Sequence, residues 1–175
     1  MSHDDRDGEA GQQMTIDAGA SGSDPQWLND DERHAWLALT GLLVRLPGAL
    51  DAQLERDSDL HFFEYMVLAM LAEQDGNELQ MSKLAALTNG SLSRLSHVVR
   101  RLERQNLVRR TPCPQDRRAT HAVLTDDGLA RVEAAAPGHV AHARALVVDA
   151  VAPEDLAAFE RVAATILDRV DGWHP

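Results

Sequence analysis

Apolar residues recur along most of this chain at the spacing of a helix. After Asn29, the residues Trp36, Leu39, Leu42, Leu43, Leu46, Leu50 and Leu54 follow mostly at intervals of three and four, which predicts a helix with one apolar stripe. Asn29 or Asp30 can cap it, and Asp31 and Glu32 sit in the first turn, where the macrodipole favours negative charge. Pro47-Gly48 predicts a kink or break near Leu46, because proline has no N–H for the ladder. The run FFEYMVLAMLAE over 62–73 is apolar almost all round, the mark of a central helix, and Asp75-Gly76-Asn77 ends it.

A short helix over 81–87 leads into the turn Thr88-Asn89-Gly90, and Ser91 is a good N-cap for a helix running to about Gln105. Within that helix Leu92, Leu95, Val98, Val99 and Leu102 form the expected buried stripe, while Ser93, Arg94, Ser96, His97, Arg100, Arg101 and Arg104 cover the rest of the cylinder. Two helices joined by a tight Asn-Gly turn make a helix-turn-helix. Residues 107–111 then read as a strand and 121–124 as its partner. Their connection holds Pro112, Pro114, Asp116, Arg117 and Arg118; since proline cannot donate to a ladder, these residues belong to a projecting tip.

Thr125 caps a further helix, with Asp126 and Asp127 in its first turn, which Pro137-Gly138 should break or kink before it resumes to about Val151. Pro153-Glu154 opens a last helix carrying Leu156, Phe159, Val162, Ala163, Ile166 and Val170 on one side. The expected fold is mainly α with a small β-wing: a winged helix-turn-helix over 61–138, with helical regions 26–60 and 139–175 outside it. Those outer helices present apolar stripes, and packing them against a second copy across a two-fold axis is the simplest way to bury them. Residues 1–25 are rich in Asp, Gly, Ser and Gln and should form a disordered acidic tail.

Charge changes the picture. Residues 91–125 hold eight arginines (94, 100, 101, 104, 109, 110, 117 and 118) against Glu103 and Asp116, a net of +6 in a chain of formal net charge −11. The remaining residues therefore sum to −17. An acidic chain with one concentrated cationic segment offers that segment to an anion, and a basic helix-turn-helix points to double-stranded DNA. No signal-peptide pattern and no run of 18 apolar residues is present, so the expectation is a cytoplasmic, nucleoid-associated protein with no membrane partner. Cys113 is the one cysteine, which excludes an intramolecular disulfide and a cysteine-based zinc cluster. No glycine-rich phosphate loop, nucleophile elbow, HExxH or paired catalytic carboxylates occur, so the chain reads as a non-enzyme without cofactor or metal.

The stretches D116-R-R-A-T-H-A-V-L-T-D-D-G128 and R94-L-S-H-V-V-R-R-L-E-R-Q-N-L-V108 resemble the MarR family of bacterial winged-helix transcriptional regulators. The first is similar to that family's Asp-x-Arg wing tip, its strand ending in Leu-Thr and the Gly that opens the next helix; the second to its recognition helix running into the wing. The likeness extends over roughly residues 30–170. It implies a homodimer built from terminal helices that binds pseudo-palindromic operators, most often as a repressor, and frequently a small-molecule or oxidant input. Asn106 stands where many members have Gly, and Asn tolerates the left-handed conformation such a turn needs.

An α-helix fits the major groove. Arg94 is the first choice for a base-edge contact, since a guanidinium pairs bidentately with guanine, and His97 and Arg101 are placed beside it. Ser91 and Ser93 suit phosphate at the helix N-terminus; Lys83, Arg100 and Arg104 suit phosphate or solvent. At the wing, Arg118, with Arg117 beside it, suits the minor groove, and Asp116 orients the tip by accepting hydrogen bonds from an arginine, as the family pattern suggests. Trp36, Phe62, Phe63, Tyr65 and Met66 are candidates for a pocket holding a small apolar or aromatic effector, in the region where the family holds ligands. His139 and His142, three apart, form a weak metal or pH site and are expected to be solvated or dimer-facing. The alternatives are a winged helix that binds protein, a redox-sensing regulator using Cys113, and a thiol-dependent enzyme, for which Cys113 lacks a base partner.

Overall fold

The computed structural model describes residues 25–113 and 119–172. The chain divides into two compact units, Met1–Leu37 and Ala38–Pro175. Helix α1 (Asp30–Ser58) starts on a reciprocal capping box: the Glu32 N–H donates to Asn29 Oδ1 at 2.9 Å, and the Asn29 N–H donates to Glu32 Oε2 at 2.8 Å. Pro47 lies inside α1, and the helix runs through it without the predicted break. Pro47 and Leu43, four residues back, are both exposed, so water can satisfy the carbonyl that loses its partner.

At its far end α1 enters the core through Leu50, Gln53 and Leu54. Helix α2 (Phe62–Ala72) is central, as its apolar run predicted, with Val67, Leu68 and Leu71 fully buried. Burying each such side chain contributes about 1.5–3 kcal/mol relative to leaving it in water. Asp51 of α1 ties the two helices: its carboxylate accepts the Phe62 N–H at 2.7 Å and lies 3.2 Å from His61 Nδ1. Phe62 and His61 thereby hold the Asp51 carboxyl below its ordinary pKa, against the opposing effect of partial burial.

Strand β1 (Glu78–Gln80) follows, then α3 (Met81–Leu87), α4 (Leu92–Arg104), β2 (Val108–Pro112) and β3 (Thr120–Leu124). The antiparallel sheet has the order β1-β3-β2, with Leu79 opposite Ala122 and Arg110 opposite Ala122 on its other side. The hairpin matches expectation, but β1 had no sequence signal: three residues are too few to show alternation. Pro112, assigned to the tip, instead pairs with Thr120 at the last rung of the ladder, a position at a strand end that proline tolerates.

Helix α5 (Asp126–Ala143) also runs unbroken through its exposed proline, Pro137, and tightens into a π-helical turn at Arg144–Val148; α6 (Leu156–Asp171) ends the fold. The start of α5 is fixed by a close approach. A Cβ on Gly128 would lie 2.1 Å from the Leu107 carbonyl oxygen, so only glycine fits. Beside it the Thr125 hydroxyl accepts the Gly128 N–H at 3.0 Å and donates to the Asn106 carbonyl at 2.7 Å. Asn106 takes the left-handed conformation (φ 60°) and its amide donates to Asp127 at 2.9 Å. The end of α4, both wing strands and the start of α5 thus meet in one joint.

His139 corrects the expectation of a solvated or dimer-facing histidine. It is buried on α5, its ring 4.3 Å from that of Tyr65 and 5.7 Å from that of Phe62, while His142 is half-buried. Burial, with a smaller contribution from His142, holds the His139 pKa below its ordinary 6.5.

Two outcomes follow from these contacts. Gly128→Ala should lower the unfolding free energy by about 2–3 kcal/mol in urea titrations, the cost of overpacking against backbone. For His139 the unfolded chain takes up the proton more readily, so its contribution to stability is complete above pH 6.5 and is lost as pH falls from there through the lowered folded value. The difference in stability between the wild type and His139→Leu should change across that window; a pH-independent difference would show that the imidazole stays neutral in both states.

Candidate nucleic-acid interface

Helix α3 ends at Thr88, whose buried hydroxyl donates to the Leu84 carbonyl at 2.8 Å. Asn89 turns the chain with φ 49°, and the Gly90 N–H donates back to the Ala85 carbonyl at 2.9 Å. Gly90 is required here by packing, because a Cβ would lie 2.6 Å from the Phe63 ring. Ser91 then caps α4, its Oγ accepting the Arg94 N–H at 3.2 Å. That bond uses the oxygen and leaves the hydroxyl hydrogen free to donate to a phosphate.

Leu95, Val99 and Leu102 are fully buried and fix the rotation of α4, with half-buried Val98 packed against them. Leu92, expected in that stripe, is 51% exposed. It is the first residue of the helix, beyond the main core, and lines a shallow groove with Gln80, Met81, Ser96 and Arg110. Turned outward are Ser93, Arg94, His97, Arg100 and Arg104, as the helical spacing predicted. Lys83 on α3 and Arg109 on β2 are also exposed.

Two arginines that the charge count treated as available are engaged inside the protein. Arg101, assigned to the groove-facing surface, is half-buried, with Nε 2.9 Å from Oε1 of Glu64, itself only 2% exposed. The contact is an ion pair by distance, with its N–H off the line of a hydrogen bond. The other Glu64 oxygen accepts the His61 N–H at 3.0 Å. Sequence reasoning missed Glu64 because the helix around it reads as apolar all round. Its signal was the carboxylate three residues after His61, in a capping position.

Arg110 of β2 is the second. Its Nε donates to Glu103 Oε2 at 2.9 Å and its backbone N–H to Glu103 Oε1 at 3.2 Å, so α4 and the wing are latched together. These hydrogen bonds keep the Glu103 carboxyl below its ordinary pKa despite partial burial.

Asp116, Arg117 and Arg118 lie outside the described residues. Cys113 at the end of β2 is buried, with its N–H bonded to the Ala119 carbonyl at 2.9 Å. Reactive thiols are usually partly exposed, so this placement weakens the redox reading. Of the proposed effector residues, Phe62 and Phe63 line an open cavity of about 470 Å³ with Pro47, Asp51, Arg94 and Arg101. Tyr65 is buried, Met66 is half-buried, and Trp36, in the first unit, is 54% exposed. Asp51, Glu55 and His61 bring side-chain donor atoms within 4.8 Å of one another. Asp51 is already committed there to the start of α2.

Known proteins agree with this geometry. Residues 63–120 match the MarR family. No curated protein matches the chain. Among solved structures, AbsC of Streptomyces coelicolor, a MarR family transcriptional regulator, is 38% identical with a TM-score of 0.81, the alignment covering 85% of this chain and 100% of that one. Sco3205 of the same organism, a MarR family regulator solved in complex with DNA, is 35% identical with a TM-score of 0.80 over 88% of this chain and 94% of that one. Sco5413, another regulator of the family from that organism, is 25% identical with a TM-score of 0.67, over 83% and 100% of the two chains. With this identity over most of its length and a winged helix-turn-helix of matching form, the chain belongs to the MarR family of transcriptional regulators, which are not enzymes.

Proposed function

We propose that this protein binds double-stranded DNA sequence-specifically, as a homodimer on a pseudo-palindromic operator, and represses transcription in the bacterial cytoplasm, at the nucleoid. The observation that carries the reading is the outward face of α4, where Ser93, Arg94, His97, Arg100 and Arg104 are all exposed on a helix anchored by a leucine-valine stripe. In this reading 61–138 is the DNA-binding domain. Arg94 and His97 meet base edges, and Ser91, Ser93 and Arg100 meet phosphates. Arg101 steadies the helix from behind through Glu64. Arg117 and Arg118 enter the minor groove, oriented by Asp116. The DNA complex of the relative Sco3205 supports the assignment.

The helical regions 26–60 and 139–175 form the subunit interface. Their support is unpartnered apolar surface: Phe159, Val162, Ile166, Leu167 and Val170 of α6 are exposed, as are Leu42, Leu43 and Val44 of α1. By length and composition α1 is also apolar enough to cross a bilayer, but its C-terminal part is committed to a protein core through Leu50 and Leu54. A second subunit is the cover consistent with that core. Two recognition helices then lie about 34 Å apart, one turn of DNA. A small apolar or aromatic effector, held beside Phe62 and Phe63, changes that spacing.

A gel shift on the DNA upstream of the protein's own gene, at two salt concentrations, tests the reading. Affinity should fall steeply with salt, and a flat response would sink it. Arg94→Ala should cost about 1–3 kcal/mol and relax base preference at one position, whereas Arg104→Ala should weaken all sequences alike and reduce the salt slope by about 1. Sedimentation should show a dimer that Ile166→Asp with Val170→Asp converts to a monomer, with loss of specific binding; a monomeric wild type would overturn the interface assignment.

A further inference from the structure

Arg94 belongs to two surfaces at once. Its backbone N–H is fixed by the Ser91 cap, and its side chain folds back so that the guanidinium carbon lies 4.1 Å from the centroid of the Phe63 ring. Phe63 is a firm platform because Gly90 presses on it from the turn. The same arginine lines the cavity of about 470 Å³ between α1, α2 and α4, a volume typical of small-molecule sites.

The charges around this cavity are unequally satisfied. Arg101 is paired with Glu64, and Asp51 accepts from Phe62 and contacts His61. Among the described residues no carboxylate pairs with Arg94; its contact is the aromatic face. The cavity therefore offers one uncompensated cation, beside two phenylalanine rings, Val98 and Pro47. A guanidinium on a ring gains only modestly from the ring quadrupole, whereas a carboxylate offers it two charge-assisted hydrogen bonds.

We propose that this cavity takes a small aromatic monocarboxylate, and that the acid and the operator compete for the Arg94 guanidinium. The inference rests on the DNA-binding reading and gives it a local means of release: the acid holds Arg94 over Phe63, and a recognition helix without that side chain loses its base contact. Coupling is reciprocal, so bound operator must weaken the acid by the same factor as the acid weakens the operator.

The test uses the full-length protein, labelled upstream DNA, and benzoate, phenylacetate and 2-naphthoate, each beside its uncharged primary amide. Calorimetry on the unliganded protein should show at least one acid binding ten-fold or more tightly than its amide. Arg94→Ala, which keeps the backbone cap, should weaken that acid at least ten-fold and leave the amide unchanged. Saturating acid should reduce the wild type's DNA affinity at least ten-fold and leave the residual DNA affinity of Arg94→Ala unchanged. Failure of all three acids to bind, equal binding of acid and amide, or full acid binding by Arg94→Ala overturns the proposal. DNA binding that the acid leaves unchanged overturns the competition alone. Absence of DNA binding by the unliganded wild type overturns the functional reading and the competition together.

Discussion

The close approach of Gly128 to the Leu107 carbonyl is the contact that the winged helix is built around. Without a Cβ at 128, the first turn of α5 sits directly on the chain leaving α4, and Thr125 then bridges the gap with one hydroxyl used as both acceptor and donor. The left-handed Asn106 supplies the carbonyl and, through its side chain, a bond to Asp127. Four elements converge on these few residues, so the wing has a defined direction relative to α4. The Leu-Thr and Gly of the family motif are conformational requirements of this joint rather than groups that touch DNA.

Orientation of α4 about its own axis has a different source. Leu95, Val99 and Leu102 set which side faces inward, and the ion pair of Arg101 with buried Glu64 locks the same choice from α2. A lone carboxylate at that depth would cost several kcal/mol, so the pair forces Arg101 inward wherever α2 and α4 are packed. Glu103 and Arg110 repeat the device toward the wing. Polar contacts here buy geometry: the exposed arginines are presented at fixed angles because others are held from behind.

What the sequence made legible was local. Ser91 and Thr125 were readable as caps because a cap depends on the residue and the three that follow it. Asn106 was readable as a left-handed turn for the same reason. The misreadings concern tertiary context. Pro47 and Pro137 do not break their helices, since the cost of proline depends on whether the orphaned carbonyl meets water, and both prolines are exposed. Burial of His139 against Tyr65 could not be seen from a histidine pair three residues apart, nor could a three-residue β1 that exists only because β3 has a free edge.

The charge count shows the same division between sequence and structure. It found the right segment, yet it treated eight arginines as equal. Arg101 is neutralised by a glutamate from outside that segment, and Arg110 by one within it. Among the described residues Arg94, Arg100, Arg104 and Arg109 remain exposed. Of these, Arg94 alone rests on an aromatic ring at the mouth of a cavity. Net charge predicts how strongly a surface attracts a polyanion from a distance. Which arginine reads a base, which holds a helix and which can be withdrawn depends on the partner each finds at close range, and a sequence sum contains no distances.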